Sequence, residues 1–354
     1  MSEIWERPVR GAPAPPAAYG LSGLDGMRLH LQSRVEPPPI RYWCGLEPTD
    51  AGPGTATFRM PMTPWLHTYA GMSWGGVLAI VADAALGCAV LTTQPPGTPT
   101  TTSELALSVL RPMPMSGSVS ARASLVHGRR LTGLSTAEVL DDRGRLIAYG
   151  TSRCAVLPTL DVPPVALEEF PVLPPETFDG PYLYDEPVDA EPMGQDMYDR
   201  YSGLELAEMV LAGKVAASPV ERLLGARLVD VAEGRTTYTL PAHAWLTQPA
   251  GVVEGGVTAC FADFAMVSAV ATTCGPRTAW APVDLRMVFL RPIPPDGRLI
   301  TAEASVLHRS RTMAYAQATL TNEDGKAVAL AWNTCLIVPG SWEEVVGLAA
   351  AAGE

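Results

Sequence analysis

Two carboxylates stand where carboxylates are costly. Asp83 interrupts the apolar run Val77 to Val90, and Asp263 interrupts the run Gly256 to Ala271. Burying an ionised carboxylate costs several kcal/mol unless it is paired or hydrated. No basic residue lies one helical turn from either acid, so the simplest structural pairing is absent. Both runs open on paired glycines, Gly75-Gly76 and Gly255-Gly256. Gly76 to Asp83 is about two helical turns, which puts glycine and acid on one face. The first N–H groups of a helix lack internal partners and carry partial positive charge, and glycine lets another group approach them closely. The same glycines also suit tight helix–strand packing. A carboxylate able to act as general base or nucleophile, near N–H groups able to stabilise an oxyanion, can carry out acyl transfer.

The recurrence extends well beyond these residues. Ser22-Gly23-Leu24 returns as Ser202-Gly203-Leu204, Trp65-Leu66 as Trp245-Leu246, and Arg111-Pro112 as Arg291-Pro292. After a slip of one residue, His127, Arg130, Gly144 and Cys154 match His308, Arg311, Gly325 and Cys335. The chain is a tandem duplication, and its function is built from two copies of one unit. The expected units are residues 22–158 and 201–340, flanked by an extension, 1–21, and a tail, 341–354. Between them lies a linker, 159–200, where crowded acids and prolines keep the chain extended. Its aromatics, Phe170, Phe178, Tyr182 and Tyr184, predict that parts of it lie against the surface.

Each unit must place its acid on a helix that is apolar on almost every side and therefore buried. Alternating segments follow it: 103–109, 118–126, 132–140 and 145–157 in the first unit, and 283–290, 299–307, 312–320 and 326–338 in the second. Such alternation predicts strands with one buried face, the last two of each unit joined by the turns Asp141 to Gly144 and Asn322 to Gly325. One buried helix followed by an antiparallel meander packs most economically with the sheet curled around it. The fold class is α+β.

This unit resembles the hotdog fold, and its motifs resemble the PaaI-like acyl-CoA thioesterases. That family opens its helix with a His-Gly-Gly-type signature and carries an acid eight positions after the first glycine. Gly75 precedes Asp83, and Gly255 precedes Asp263, by that interval. The resemblance implies a double hotdog, each repeat a long central helix wrapped by an antiparallel sheet, and hydrolysis of acyl-CoA. It implies composite sites: Gly255 with Asp83, and Gly75 with Asp263. In many relatives an Asn or Gln seven residues before the helix glycine also binds the thioester carbonyl; Gln248 stands there in repeat two and Thr68 in repeat one. Some relatives position water with a hydroxyl ten residues before the strand-ending proline, where Thr102 is matched by Pro282. Both assets fall to the Asp83/Gly255 site, so that site is expected to be active and its twin weakened. The acid acts as base or as nucleophile; the residues fit both. The chain departs from the signature histidine, with Trp74 and Glu254 in its place. Trp74 could cover an acyl pocket or simply fill core. A carboxylate at 254 fits two placements, pointing away or paired with an arginine. Arg129, Arg130, Arg309 and Arg311, at matching strand junctions with Arg111 and Arg291 at another, are the candidate contacts to coenzyme A phosphates.

Two other readings fit the residues. One is a non-catalytic acyl-CoA-binding protein. The other is a hotdog dehydratase or hydratase using His67, although the Asp-x-Asn-Pro-x-His motif of hydratases is missing. The net charge of −12 disfavours nucleic acid as a partner. Six cysteines lack C-x-x-C spacing and read as core residues, and no His/Cys/Asp group has metal spacing. No cofactor is expected beyond the coenzyme A of the substrate. No apolar stretch reaches the ~18 residues needed to span a bilayer, and the N-terminal residues lack a secretory apolar segment. A cytoplasmic protein is expected and, because a hotdog pair usually pairs again, a homodimer.

Overall fold

The structure is a computed structural model that describes residues 4–69, 75–175, 182–188 and 193–340. Each repeat starts with a short helix, α1 (Gly23–Leu31) or, in the second copy, α5 (Gly203–Leu211). The repeated serine explains their start: Ser22 accepts from the Asp25 N–H, and Ser202 from the Glu205 N–H, satisfying an otherwise orphaned donor. Short helices follow, α2 (Pro39–Cys44) and α6 (Pro219–Leu224), with α4 (Gln195–Arg200) ahead of α5. The long helices are α3 (Gly75–Leu91) and α7 (Gly255–Ala271), 17 residues each and buried along nearly their whole length.

The strands are β1 (Glu47–Gly52), β2 (Thr55–Pro61), β3 (Thr100–Val109), β4 (Ser118–Gly128), β5 (Thr132–Asp141) and β6 (Leu146–Val156) in repeat one. Repeat two supplies β7 (Arg227–Ala232), β8 (Arg235–Pro241), β9 (Thr278–Phe289), β10 (Leu299–Arg309), β11 (Met313–Asn322) and β12 (Ala327–Pro339). They form one 12-stranded sheet in the order β1-β2-β4-β5-β6-β3-β9-β12-β11-β10-β8-β7. The second half reads as the first reversed, so a pseudo-twofold axis passes between β3 and β9. There Ala106 pairs with Arg286 and Glu104 with Val288, antiparallel. The chain thus has two tandem hotdog domains, each helix wrapped by its half of the sheet.

The two long helices also pack on each other. A Cβ on Gly256 would collide with the Ala79 carbonyl and lie 2.5 Å from the Ile80 Cα; only glycine permits this approach. The start of each helix is thereby pressed against the middle of the other, where the acids are.

The connecting segments are anchored by the repeated tryptophans. The Trp65 indole donates to the Glu186 carbonyl at 2.9 Å, and the Trp245 indole to the Arg7 carbonyl at 3.3 Å. Linker residue Leu183 is buried, and the Leu173 N–H bonds the Ser33 carbonyl at 2.8 Å. No helix among the described residues is long and apolar enough to cross a membrane.

Candidate active site

Asp83 projects from the middle of α3 towards the start of α7. Its Oδ1 accepts from the Thr102 hydroxyl at 2.9 Å, and its Oδ2 lies so near Gly255 that a Cβ there would overlap it. Thr102 is aimed by a β-bulge: the pairing of β3 with β6 shifts between Thr102 and Glu104, and bulges redirect side chains. Gln248 sits in the turn before α7, its Oε1 accepting from the Ala250 N–H at 2.9 Å. Asp83, Thr102, Gln248, Glu254 and Gly255 all line one cavity of about 1430 Å³. Groups from both repeats therefore meet at a single wet surface.

Glu254 takes neither placement expected from the sequence. It does not point away, and no arginine among the described residues pairs with it; buried, it hydrogen-bonds the carboxyl of Asp83. Burial raises the Asp83 carboxyl to about 6, while bonds from Thr102, Glu254 and the Gly256 N–H pull it down. Burial, and then the charge of Asp83, hold the Glu254 carboxyl well above its ordinary value. Two touching carboxyls cannot both ionise. The Gly256 N–H serves both carboxyls and the Thr102 hydroxyl donates to Asp83 alone, so the charge resides on Asp83 and the proton on Glu254.

The twin site is built differently. Asp263 is completely buried and lines neither large cavity. Its Oδ1 accepts from the Asn333 amide at 2.8 Å. Its Oδ2 makes no well-formed hydrogen bond among the described residues, although the Gly76 N–H lies close enough to lower its pKa. Pro282, where the first repeat has Thr102, sits at the matching bulge of β9 and offers no hydroxyl. Asn333 on β12, where the first repeat has Ser152, closes over the acid instead. Thr68 and Gly75 line a separate cavity of about 350 Å³ with Tyr238, Phe264 and Trp280.

This sealed acid has a stability consequence. Burial lifts Asp263 to about 7 against the lowering effect of Asn333 and Gly76. A raised carboxyl pKa means that the folded state binds more protons than the unfolded one between about pH 4 and 7. Unfolding free energy should therefore fall as pH rises through that window, by about 1.4 kcal/mol per pH unit from this group. Asp263→Asn should flatten this dependence. Denaturant unfolding at pH 5 and 7.5 checks it, and parallel pH dependences in the two proteins would contradict it.

Of the arginines singled out from the sequence, Arg291 alone lines the cavity. Arg129, Arg130, Arg309 and Arg311 are exposed at the β4–β5 and β10–β11 hairpins, and none lines it. Arg309 bonds Thr273, just past the far end of α7 at 3.0 Å, about 25 Å along the helix from Gly255. Beside Arg291 the cavity contains Arg41, which the sequence did not single out, and His30. Burial, with the nearby Arg41 charge, lowers His30 to about 4, leaving the two arginines as its positive charges at neutral pH. His67 lines neither cavity; its Nε2 lies 3.3 Å from the Met115 carbonyl. Trp74 lies outside the described residues. Asn333 was missed, although aligning the repeats puts it opposite Ser152.

Comparison with known proteins agrees with this fold. Residues 70–148 and 250–329 each match the thioesterase superfamily model. The whole chain is similar in fold to acyl-CoA thioesterase II TesB2 of Mycobacterium marinum, at 12% identity and a TM-score of 0.51, covering 86% of this chain and 98% of that one. It is likewise similar to the tesB protein of Mycobacterium avium subspecies paratuberculosis, at 15% identity and a TM-score of 0.54, covering 85% and 98%. A hot dog fold protein of unknown function from Alicyclobacillus acidocaldarius aligns at 13% identity and a TM-score of 0.51, covering 82% and 95%. No curated protein matches the chain.

Proposed function

We infer that this chain, with a thioesterase-superfamily domain in each half, hydrolyses acyl-CoA thioesters at the single composite site of Asp83 and Gly255. The convergence of Asp83, Thr102, Gln248 and the Gly255 end of α7 on one large cavity supports this reading. Asp83, ionised above about pH 6, takes a proton from water held near Thr102. The hydroxide attacks the thioester carbon. The first-turn N–H groups of α7 and the Gln248 amide stabilise the oxyanion, which collapses and expels the thiolate. Arg41 and Arg291 are the cavity's cations for the phosphates of coenzyme A.

A base facing a wet cavity favours turnover over binding alone, and the position of His67 outside that cavity disfavours a dehydratase. A panel of short, long and aromatic acyl-CoAs with thiol detection tests the reading. Hydrolysis of at least one class is expected; tight binding of acyl-CoA with no thiol released would favour the binding-only alternative.

A further inference from the structure

We propose that Glu254 is a second catalytic residue, the acid that protonates the departing thiolate, and that Asp83 restores its proton at the end of each cycle. This rests on the thioesterase reading above and extends it. Glu254 lines the same cavity as Asp83, directly precedes the first turn of α7, and is hydrogen-bonded to the Asp83 carboxyl. Thr102 occupies the other Asp83 oxygen. The remaining titratable groups facing the pair are the thiols of Cys44 on α2, Cys88 on α3 and Cys154 on β6. Burial raises all three and keeps them neutral, Cys154 at about 11. Among the described residues no cation contacts the pair, so its charge is fixed by the proton it holds.

The cycle balances. Asp83 removes one proton from water as the new C–O bond forms. When the C–S bond breaks, its electron pair goes to sulfur, and Glu254 gives its proton to that sulfur. The site then holds Asp83 protonated and Glu254 ionised, and their direct hydrogen bond returns the proton to Glu254. Water and thioester have become carboxylic acid and thiol. A donor at this point matters because a thiolate set free against largely apolar walls is poorly solvated, and an alkyl thiolate is basic enough to take the proton.

The test compares two leaving groups carrying one acyl chain: coenzyme A, and an acidic aryl thiol of the nitrothiobenzoate type that leaves without protonation. Glu254→Gln keeps a hydrogen-bond donor but no transferable proton. Its kcat should fall about 100-fold for the acyl-CoA and only about fivefold or less for the aryl thioester. Equal losses on both would overturn the proposal. The wild-type protein provides a second test that needs no variant. Its acyl-CoA profile should fall at alkaline pH as Glu254 ionises, while the aryl thioester profile stays flat there; matching alkaline limbs would also overturn it. Absence of hydrolysis of either ester by the wild type would instead remove the thioesterase reading.

Discussion

Asp83→Asn is expected to lower kcat for acyl-CoA hydrolysis by about 10³-fold, whereas Asp263→Asn should stay within about threefold of wild type. The two acids occupy equivalent positions in duplicated helices, so sequence alone makes their fates look alike. Their surroundings separate them. Asp83 faces the large cavity with the Thr102 hydroxyl on one oxygen and the start of α7 at the other. Asp263 has no exposed surface and spends one oxygen on Asn333. Asparagine in place of Asp83 cannot take a proton from water, and the loss should fall on kcat more than on KM because the ground state needs no base. Wild-type activity should also decline below about pH 6, where Asp83 takes up its proton. Comparable losses from both substitutions would refute a single active site.

The helices and meanders were legible because their patterns are strong. Seventeen residues of nearly unbroken apolar character fit only a buried helix, and alternation marked the strands from β3 to β6 and β10 to β12 to within three residues, while β9 starts five residues before the alternating segment. The hairpins β1–β2 and β7–β8 went unread: they are short, sit at the two edges of the sheet, and carry a bulge each. The helices α1 and α5 had a usable signal, Ser22 to Asp25 and Ser202 to Glu205 at capping-box spacing, that periodicity alone does not weigh.

At the site, residues fixed by their own helix were readable, and residues whose role depends on the other repeat were not. Asp83 and Gly255 follow from the repeat and the family signature. Glu254 does not, because its partner lies across the pseudo-twofold axis, and a carboxyl there changes meaning once it touches a second carboxyl. The hairpin arginines went wrong for a geometric reason, while Arg291 did not. Hairpin tips of this meander sit by the C-terminal ends of the helices: Gly133 packs on Val90, and Arg309 bonds Thr273. The chemistry lies at the opposite end of α7, where Arg291, at the strand end of β9, is the arginine within reach of the cavity.

Gly255→Ala should cost about 100-fold or more in kcat, whereas Gly75→Ala should leave activity within a few-fold of wild type and mainly affect stability. The two glycines are equivalent by sequence and meet different neighbours. A methyl on Gly255 would overlap the Asp83 carboxylate itself, displacing the base from the α7 start and from the Thr102 hydroxyl together. Misplacement of about 1 Å at a reacting centre can cost about 10²-fold. A methyl on Gly75 would meet the Cγ2 of Val109 at 2.6 Å, a side chain that can rotate, and its nearest cavity does not contain Asp263. Thermal melts separate the outcomes: Gly255→Ala should lose kcat with a fold that still melts cooperatively, and Gly75→Ala should lose melting temperature with kcat kept. The reverse pattern would mean that hydrolysis takes place at the Asp263 site. Duplication thus gives two frames of the same shape, and the Thr102/Pro282 and Ser152/Asn333 differences decide which frame keeps its acid wet.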